Sequence, residues 1–372
     1  MSRARRVDAP LLMTPGPTRV PARVLAAGAR PMIHHRSAAF SEELATLLDL
    51  VAPVFGARER VLPVHTTGRG AMEGAICNLF APGDEIVACC NGKFGELWAT
   101  LAESCGLIVH RVATDWAKDI AVAELEALLA RRPGVRGMTL TYSDTSTGVA
   151  NDVVSVAQLA RAHGALVLVD GVSAIGGMPF AFDDWDVDVA VTASQKCLMS
   201  SPGLALVAMS PRAWAASRRA TLPHNYWNFE EIRAAVSKAR PETPGTPPVH
   251  VVLQVAEALR MMHEEGLDAV FARHERVAAQ VRHGAAALGL TLQCPALARY
   301  SATVTAIAAP AAIAPAAIRA GLDAEGVLIA AALGRYEPGA FRIGHMGDIR
   351  LADVDRALTA LAGVLTATPQ TS

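Results

Sequence analysis

The stretch ALVLVDGVSAIGGMPFAFDDWDVDVAVTASQKCLMSSPGLALVAM, residues 165–209, decides the fold. It holds three short apolar runs, residues 166–169, 187–191 and 204–209, each with the length and β-branched content of a fully buried strand. Asp170 follows the first run, and Gln195 and Lys196 follow the second. Because ligands of open α/β sheets bind at the carboxyl ends of strands, we expect the acid and the lysine to share one site.

An ion pair between Asp170 and Lys196 is the simplest explanation of that arrangement. The surroundings favour chemistry, because small polar residues flank the lysine and the tight turn SSPG, residues 200–203, follows it. A lysine amine can form and exchange a covalent bond with a carbonyl compound. The pair is therefore a candidate catalytic site.

Composition limits the classes of protein to which the chain can belong. Its 372 residues, 52% of them hydrophobic, suffice for one large core and a smaller domain. A net charge of −1 leaves no basic stripe for nucleic acid and no polybasic membrane patch. No run of 18 apolar residues predicts a membrane span, and the Arg-rich start lacks the apolar run of a secretory signal. The six cysteines lack zinc-type spacing, so we expect a cytoplasmic protein with reduced thiols and no metal site.

A glycine-rich turn lies between a strand-like run and an apolar helix that is predicted to begin near Ala71. The turn reads TTGRG, residues 66–70. A turn of this kind presents free backbone N–H groups and the positive end of the helix dipole, which suits a phosphate. Many helices begin with such a turn, and the spacing is neither that of a dinucleotide fingerprint nor that of a P-loop.

Two further side chains are candidates for ligand contact. Phe94 follows a predicted strand over residues 85–90, where it would serve either as core packing or as a lid on an aromatic ring. Arg342 lies within an apolar run, and a buried unpaired charge is costly. Its partner is either a carboxylate of the protein or a carboxylate of the ligand.

Six motifs in fixed order resemble the class V aminotransferases, which are pyridoxal-phosphate enzymes of fold type I. They are TGRG at 67–70, KFG at 93–95, TSTG at 145–148, VDGVS at 169–173, SQK at 194–196 and FRIGHMG at 341–347. Within the class, the chain looks most like the alanine/serine–glyoxylate aminotransferases. The resemblance implies an α/β fold with a mainly parallel seven-stranded sheet, a smaller C-terminal α/β domain and a homodimer.

The resemblance also implies roles for the cofactor-binding residues. It makes Lys196 the covalent anchor of pyridoxal phosphate and Asp170 the partner of its ring nitrogen. The remaining implied contacts are Thr67, Gly68 and Arg69 to the phosphate, Phe94 over the ring, Thr145 to the phenolic oxygen, Val172 and Gln195 as further cofactor-binding residues, and Thr246 from the neighbouring subunit. Three positions depart from the family pattern: Arg69, Asp144 and Thr243.

Substrate contacts follow from the same resemblance. Arg342 is expected to bind the substrate α-carboxylate through its planar fork. Gly16, in the extended segment PGP at 15–17, and Arg36 are further substrate-side candidates.

The domain organisation is predicted from helical periodicity and from Gly266, which separates two helices. We expect an N-terminal segment over residues 1–21, a large cofactor-binding domain over 22–265 and a small C-terminal domain over 266–372. Apolar spacing predicts a helix over 41–55 with Ser41 as its cap.

The expected reaction is transamination between a small amino acid, such as alanine or serine, and a small 2-oxo acid, such as glyoxylate or pyruvate. No second arginine stands in a strong motif context to bind a side-chain carboxylate. Alternatives are the pyridoxamine–pyruvate and ureidoglycine–glyoxylate activities of the same class, or a class V lyase such as a cysteine desulfurase. The lyase needs a nucleophilic cysteine, for which Cys294 is the only candidate. A dinucleotide-dependent dehydrogenase would need a G-x-G-x-x-G motif after a strand, which is absent.

Overall fold

A computed structural model describes residues 10–367 of the chain. The Arg-rich start considered above as a signal, residues 1–9, lies outside the described residues. In chain order the strands are β1 Leu11–Leu12, β2 Leu62–Val64, β3 Glu85–Cys89, β4 Ile108–Val112, β5 Val135–Thr141, β6 Ser143–Asp144, β7 Val149–Ala150, β8 Leu166–Asp170, β9 Val189–Ala193, β10 Ala205–Met209, β11 Val304–Ala308, β12 Val327–Leu328, β13 Ala330–Ala331 and β14 Ala340–Gly344. The helices are α1 Ala22–Gly28, α2 Ala38–Phe55, α3 Gly68–Leu79, α4 Lys93–Ser104, α5 Val122–Ala130, α6 Val153–His163, α7 Pro211–Ser217, α8 Phe229–Val236, α9 Val249–Glu265, α10 Leu267–Ala287, α11 Pro315–Ala324 and α12 Leu351–Ala367.

The central sheet has seven strands in the order β2-β10-β9-β8-β5-β3-β4. The strands from β9 to β4 run parallel, and β10 is antiparallel to both of its neighbours. Every residue of β8, β9 and β10 is buried, as expected for strands covered by helices on both faces. The prediction of a mainly parallel seven-stranded sheet is confirmed.

Two helices begin earlier than the sequence pattern predicts. Ser41 was predicted to cap α2, and that prediction is wrong: the cap is Ser37, whose side chain accepts a hydrogen bond from the Phe40 N–H, and Ser41 is buried inside the helix. Helix α3 begins at Gly68 and not near Ala71, because Thr67 caps it by accepting from the Gly70 N–H. The glycine-rich turn is therefore the first turn of the helix.

A second, smaller apolar core lies around the three-stranded antiparallel sheet β11-β14-β13 and helices α10, α11 and α12. The start of the described chain joins it: β1 pairs in parallel with β12, and Leu11 and Met13 are buried in this core. Residues 14–18 run on from this anchor to the turn after β9, where the Thr18 N–H donates to the Gln195 carbonyl oxygen at 3.1 Å. Within residues 10–367, no helix is long and apolar enough to cross a membrane.

Candidate active site

Lys196 lies on the turn after β9, with its side chain largely enclosed. Burial, and after it the positive charge of Arg342, lowers the pKa of the amine to about 8. The Nζ atom donates a hydrogen bond to the Pro15 carbonyl oxygen at 2.5 Å. The amine is thus held in one direction and is partly neutral at slightly alkaline pH.

The N-terminal segment reaches Lys196 because residue 16 has no side chain. A Cβ built at Gly16 would lie 2.5 Å from both Cδ and Nζ of Lys196, and Gly16 has a φ of 103°, in the left-handed region. The Thr18 hydroxyl donates to the Lys196 carbonyl oxygen at 3.0 Å. Residues 15–18 therefore form one wall of the site. The sequence suggested Gly16 alone, because contacts through the backbone of Pro15 leave no mark in a residue pattern.

Asp170 ends β8 and is only 3% exposed. Its Oδ1 accepts the Val172 N–H at 2.8 Å, while Oδ2 receives no hydrogen bond from residues 10–367. Burial raises the pKa of this carboxyl to about 7. Asp170 and Lys196 are near enough for each charge to stabilise the other, but they form no direct ion pair. The ion-pair explanation of their arrangement is therefore wrong. A buried carboxylate with a free oxygen is suited to hold a protonated ring nitrogen.

Arg342 lies in β14, is 7% exposed, and is near enough to Lys196 for its charge to lower the pKa of that amine. Its Nε donates to the Ala331 carbonyl oxygen at 2.7 Å and its Nη1 to the Thr145 carbonyl oxygen at 2.9 Å. Within the described chain no carboxylate forms an ion pair with it, and burial lowers its pKa to about 10. Backbone oxygens therefore hold this guanidinium in place, and no carboxylate of the described chain contacts it.

The N-terminus of α3 faces the sheet next to Val172. A Cβ at Gly68 would lie 2.7 Å from Cγ2 of Val172, so the absence of a side chain lets the helix approach the turn after β8. The first N–H groups of α3 have no acceptor within the helix. Thr67 and Arg69 are exposed at this end, and the Arg69 side chain has no polar partner in the described residues. One hydroxyl, that of Thr67, and one cation, Arg69, thus stand at the start of the helix.

Phe94 and Thr145 lie on neighbouring turns. Phe94 is half-buried in the first turn of α4. The Thr145 hydroxyl is buried and forms a 2.5 Å hydrogen bond with the hydroxyl of Ser173. Ser173 is the last residue of the VDGVS motif, but no role was predicted for it. Its position three residues after Asp170 was the available signal.

Two other predicted residues, Arg36 and Thr246, lie at the proline-rich loop, and a third, Gln195, directly precedes Lys196. The Arg36 side chain binds the carbonyl oxygens of Thr243 and Pro244 and pairs with Glu242, all on the proline-rich loop. Thr246 is exposed on the same loop. The Oε1 atom of Gln195 is buried and has no hydrogen-bond partner in residues 10–367.

Cys294 does not have the properties of a reactive thiol. It is 1% exposed, and its Sγ contacts the Trp116 carbonyl oxygen and the Tyr336 hydroxyl. Burial raises the pKa of the thiol to about 11, so the thiolate is scarce at neutral pH. Separately, no group of three His, Cys, Asp or Glu side chains in the described chain is placed to hold a metal ion.

Comparisons with known proteins show the family to which the chain belongs. The family model "Aminotransferase class-V" matches residues 12–338. The chain therefore belongs to the class V aminotransferases, and it is a pyridoxal-phosphate-dependent aminotransferase. The resemblance deduced from the six motifs is confirmed.

Individual relatives cover nearly the whole chain. The L-aspartate–glyoxylate aminotransferase of Paracoccus denitrificans is 36% identical, over 96% of this chain and 89% of its own. A protein named soluble hydrogenase, small subunit, of a Synechococcus species is also 36% identical, over 96% of this chain and 93% of its own. Among solved structures, the alanine–glyoxylate aminotransferase of a Nostoc species superposes with a TM-score of 0.91 at 27% identity, covering 98% of this chain and 97% of that chain.

Proposed function

We propose that the protein transfers the amino group of a small amino acid, of the alanine or serine type, to glyoxylate or a similarly small 2-oxo acid such as pyruvate. The observation that carries the proposal is Arg342, a buried guanidinium beside Lys196 with no carboxylate partner in the described chain. Because a buried unpaired charge is costly, its retention favours a ligand that supplies the carboxylate. Glyoxylate is named as acceptor in two of the similar proteins described above.

The residues of the site fit pyridoxal phosphate. Asp170 offers a free carboxylate oxygen in a buried position, and the Oε1 atom of Gln195 lacks a partner. Thr67, Gly68 and Arg69 at the start of α3 offer donors and positive charge to a phosphate. Phe94, Val172 and Thr145 complete the proposed ring pocket. When bound, the cofactor supplies a carbonyl carbon that accepts an amine and a ring that draws electrons from the substrate Cα.

The remaining chemistry belongs to the protein's own side chains. Arg342 binds the substrate carboxylate with the part of its fork that the backbone oxygens leave free, and so orients Cα. Lys196 Nζ, with its pKa lowered to about 8, would take the proton from Cα and deliver it to the carbonyl-derived carbon of the bound cofactor. Positioned general acid–base transfer of this kind contributes roughly 10²–10⁴-fold in rate. Asp170 keeps a proton on the ring nitrogen, and Pro15 directs the amine.

We further propose a homodimer in which Thr246 serves the partner's site. In the single chain the Thr246 side chain is exposed and has no polar partner among residues 10–367, which leaves it available to a second subunit. The lyase alternative is less well supported, because the buried Cys294 lacks the accessible thiolate that it requires.

Single-turnover spectroscopy tests the proposed function. Protein loaded with pyridoxal phosphate is mixed with one amino acid at a time, and the visible absorbance is followed. Alanine or serine should discharge the absorbance, and glyoxylate should restore it. If aspartate alone discharged the absorbance, the amino donor would be a dicarboxylic amino acid. Repeated turnover without any oxo acid, with more than one product molecule released per active site, would replace transamination by a lyase reaction.

A further inference from the structure

Helix α4, which carries Phe94, has no cap in its own sequence. Its N-cap residue is Gly92, which has no side chain to accept the free N–H groups of the first turn. Unsatisfied N–H groups at a buried helix end are costly, so acceptors must come from elsewhere. They come from residues 144–146, where the TSTG turn begins, about fifty residues further along the chain.

Asp144 and Ser146 supply these acceptors. The Ser146 hydroxyl accepts the Lys93 N–H at 2.9 Å, and Asp144 Oδ2 accepts the N–H groups of Phe94 and Gly95 at 3.0 and 3.3 Å. Asp144 Oδ1 in turn accepts the N–H and hydroxyl of Ser146 at 2.9 and 2.5 Å. The carboxylate, which is fully buried, has four hydrogen bonds and locks the two turns together.

We propose that Asp144 is a positioning residue that holds Phe94 in place over the cofactor. The inference rests on the proposed function, because it assigns Phe94 to the cofactor ring. Gly92 makes the arrangement possible, since a Cβ at that position would collide with the Asp144 carboxyl group.

The same turn also reaches the substrate side of the site. The carbonyl oxygen of Thr145, the residue after Asp144, accepts a hydrogen bond from Arg342 Nη1, and the Thr145 hydroxyl is hydrogen-bonded to the Ser173 hydroxyl. The charge of Asp144 also favours the charged form of Arg342. A single turn therefore connects the proposed ring lid with the proposed carboxylate-binding arginine.

Asp144→Asn tests the proposal, with Asp188→Asn as its matched control. Asp188 is likewise buried, 2% exposed, with its pKa raised by burial, and accepts hydrogen bonds from the Ser210 hydroxyl and the Val167 N–H. It directly precedes β9, and Lys196 follows the other end of the same strand. Both variants should lower the melting temperature of the cofactor-free protein. Only Asp144→Asn should weaken binding of pyridoxal phosphate, measured by absorbance titration, by about tenfold.

A double-mutant cycle asks whether Asp144 acts through Phe94. In a Phe94→Leu background, Asp144→Asn should weaken cofactor binding by less than about twofold further. Equal losses in both backgrounds, or an equal loss of affinity in Asp188→Asn, would overturn the proposal. Should Asp144→Asn fail to fold, Ser146→Ala removes an acceptor from the same turn and should weaken binding about threefold. If wild-type protein binds no pyridoxal phosphate at all, the proposed function itself fails, which is a different result.

Discussion

Gly16 packs directly against the side chain of Lys196, although 180 positions separate them in the sequence. The contact leaves no space for a methyl group, because a Cβ at residue 16 would lie 2.5 Å from the lysine Nζ. The neighbouring Pro15 carbonyl accepts the hydrogen bond from that same nitrogen. The position of the amine is therefore set by the N-terminal segment as well as by the turn that carries it.

Gly16→Ala should consequently slow catalysis far more than it destabilises the fold. The matched control is Gly83→Ala, because Gly83 has a similar φ of 84° and nothing within 4 Å of its Cβ position. Both substitutions should cost about 1 kcal/mol or more of unfolding free energy from backbone strain. Only Gly16→Ala should reduce the rate of the amino-acid half-reaction, measured by stopped-flow absorbance. Equal rates in the two variants would mean that a methyl group at residue 16 does not disturb the position of the Lys196 amine.

Stability of the cofactor-free protein should depend on Asp170. Its pKa of about 7 in the folded state exceeds the usual value near 4 in the unfolded state, so the unfolded chain ionises first. The resulting destabilisation grows as the pH rises from about 4 to 7. Asp170→Asn removes it and should be more stable than wild type at pH 8, with the advantage lost at pH 4.5.

Denaturant unfolding at the two pH values measures this difference. Asp184→Asn, at an exposed residue paired with Arg58, serves as the control and should change stability little at either pH. If the unfolding free energies of wild type and Asp170→Asn changed equally between the two pH values, burial would not raise the pKa of this carboxyl.

Arg342→Lys should distinguish amino acids from simple amines. Lysine cannot reproduce the planar fork, so kcat/KM for every amino acid tried should fall about tenfold to a hundredfold, while binding of pyridoxal phosphate remains intact. Amines without a carboxylate should be poor substrates for wild type and nearly insensitive to the change. An equal loss for amines would make Arg342 a structural residue, with Arg36 the next candidate for the carboxylate.

Much of this arrangement could be predicted from sequence, because it depends on local patterns. Apolar runs marked the buried strands, and their carboxyl ends correctly marked where Asp170 and Lys196 lie. The cap of α2 was placed at Ser41 and lies at Ser37, since two serines four residues apart fit the same helical periodicity.

The contacts that could not be predicted join distant segments through backbone atoms. The bonds from Lys196 to Pro15 and from Arg342 to Ala331 and Thr145 use carbonyl oxygens, which every residue possesses. The role of Asp144 at the start of α4 is hidden for a related reason. Its partners are N–H groups about fifty residues away, and no local pattern indicates them.

Subunit mixing tests the proposed role of Thr246. In a heterodimer of a Lys196→Ala chain with a Thr246→Ala chain, one site combines an intact lysine with the partner's intact threonine. If Thr246 serves the partner's site, this site should bind pyridoxal phosphate as tightly as wild type, whereas the Thr246→Ala homodimer should bind it more weakly. Weak binding in both species would assign Thr246 to its own chain, and a fully active monomer in sedimentation would remove the dimer from the account.

The central claim is that Lys196 carries the cofactor, and chemical trapping tests it most directly. The chain has four lysines, Lys93, Lys118, Lys196 and Lys238, so assignment by peptide mass mapping is unambiguous. Wild-type protein loaded with pyridoxal phosphate is reduced with borohydride and digested. The pyridoxyl group should be found on Lys196 alone, at close to one per chain, and should be absent from a Lys196→Ala variant. Label on one of the other three lysines, or no stable label on the loaded protein, would contradict the account.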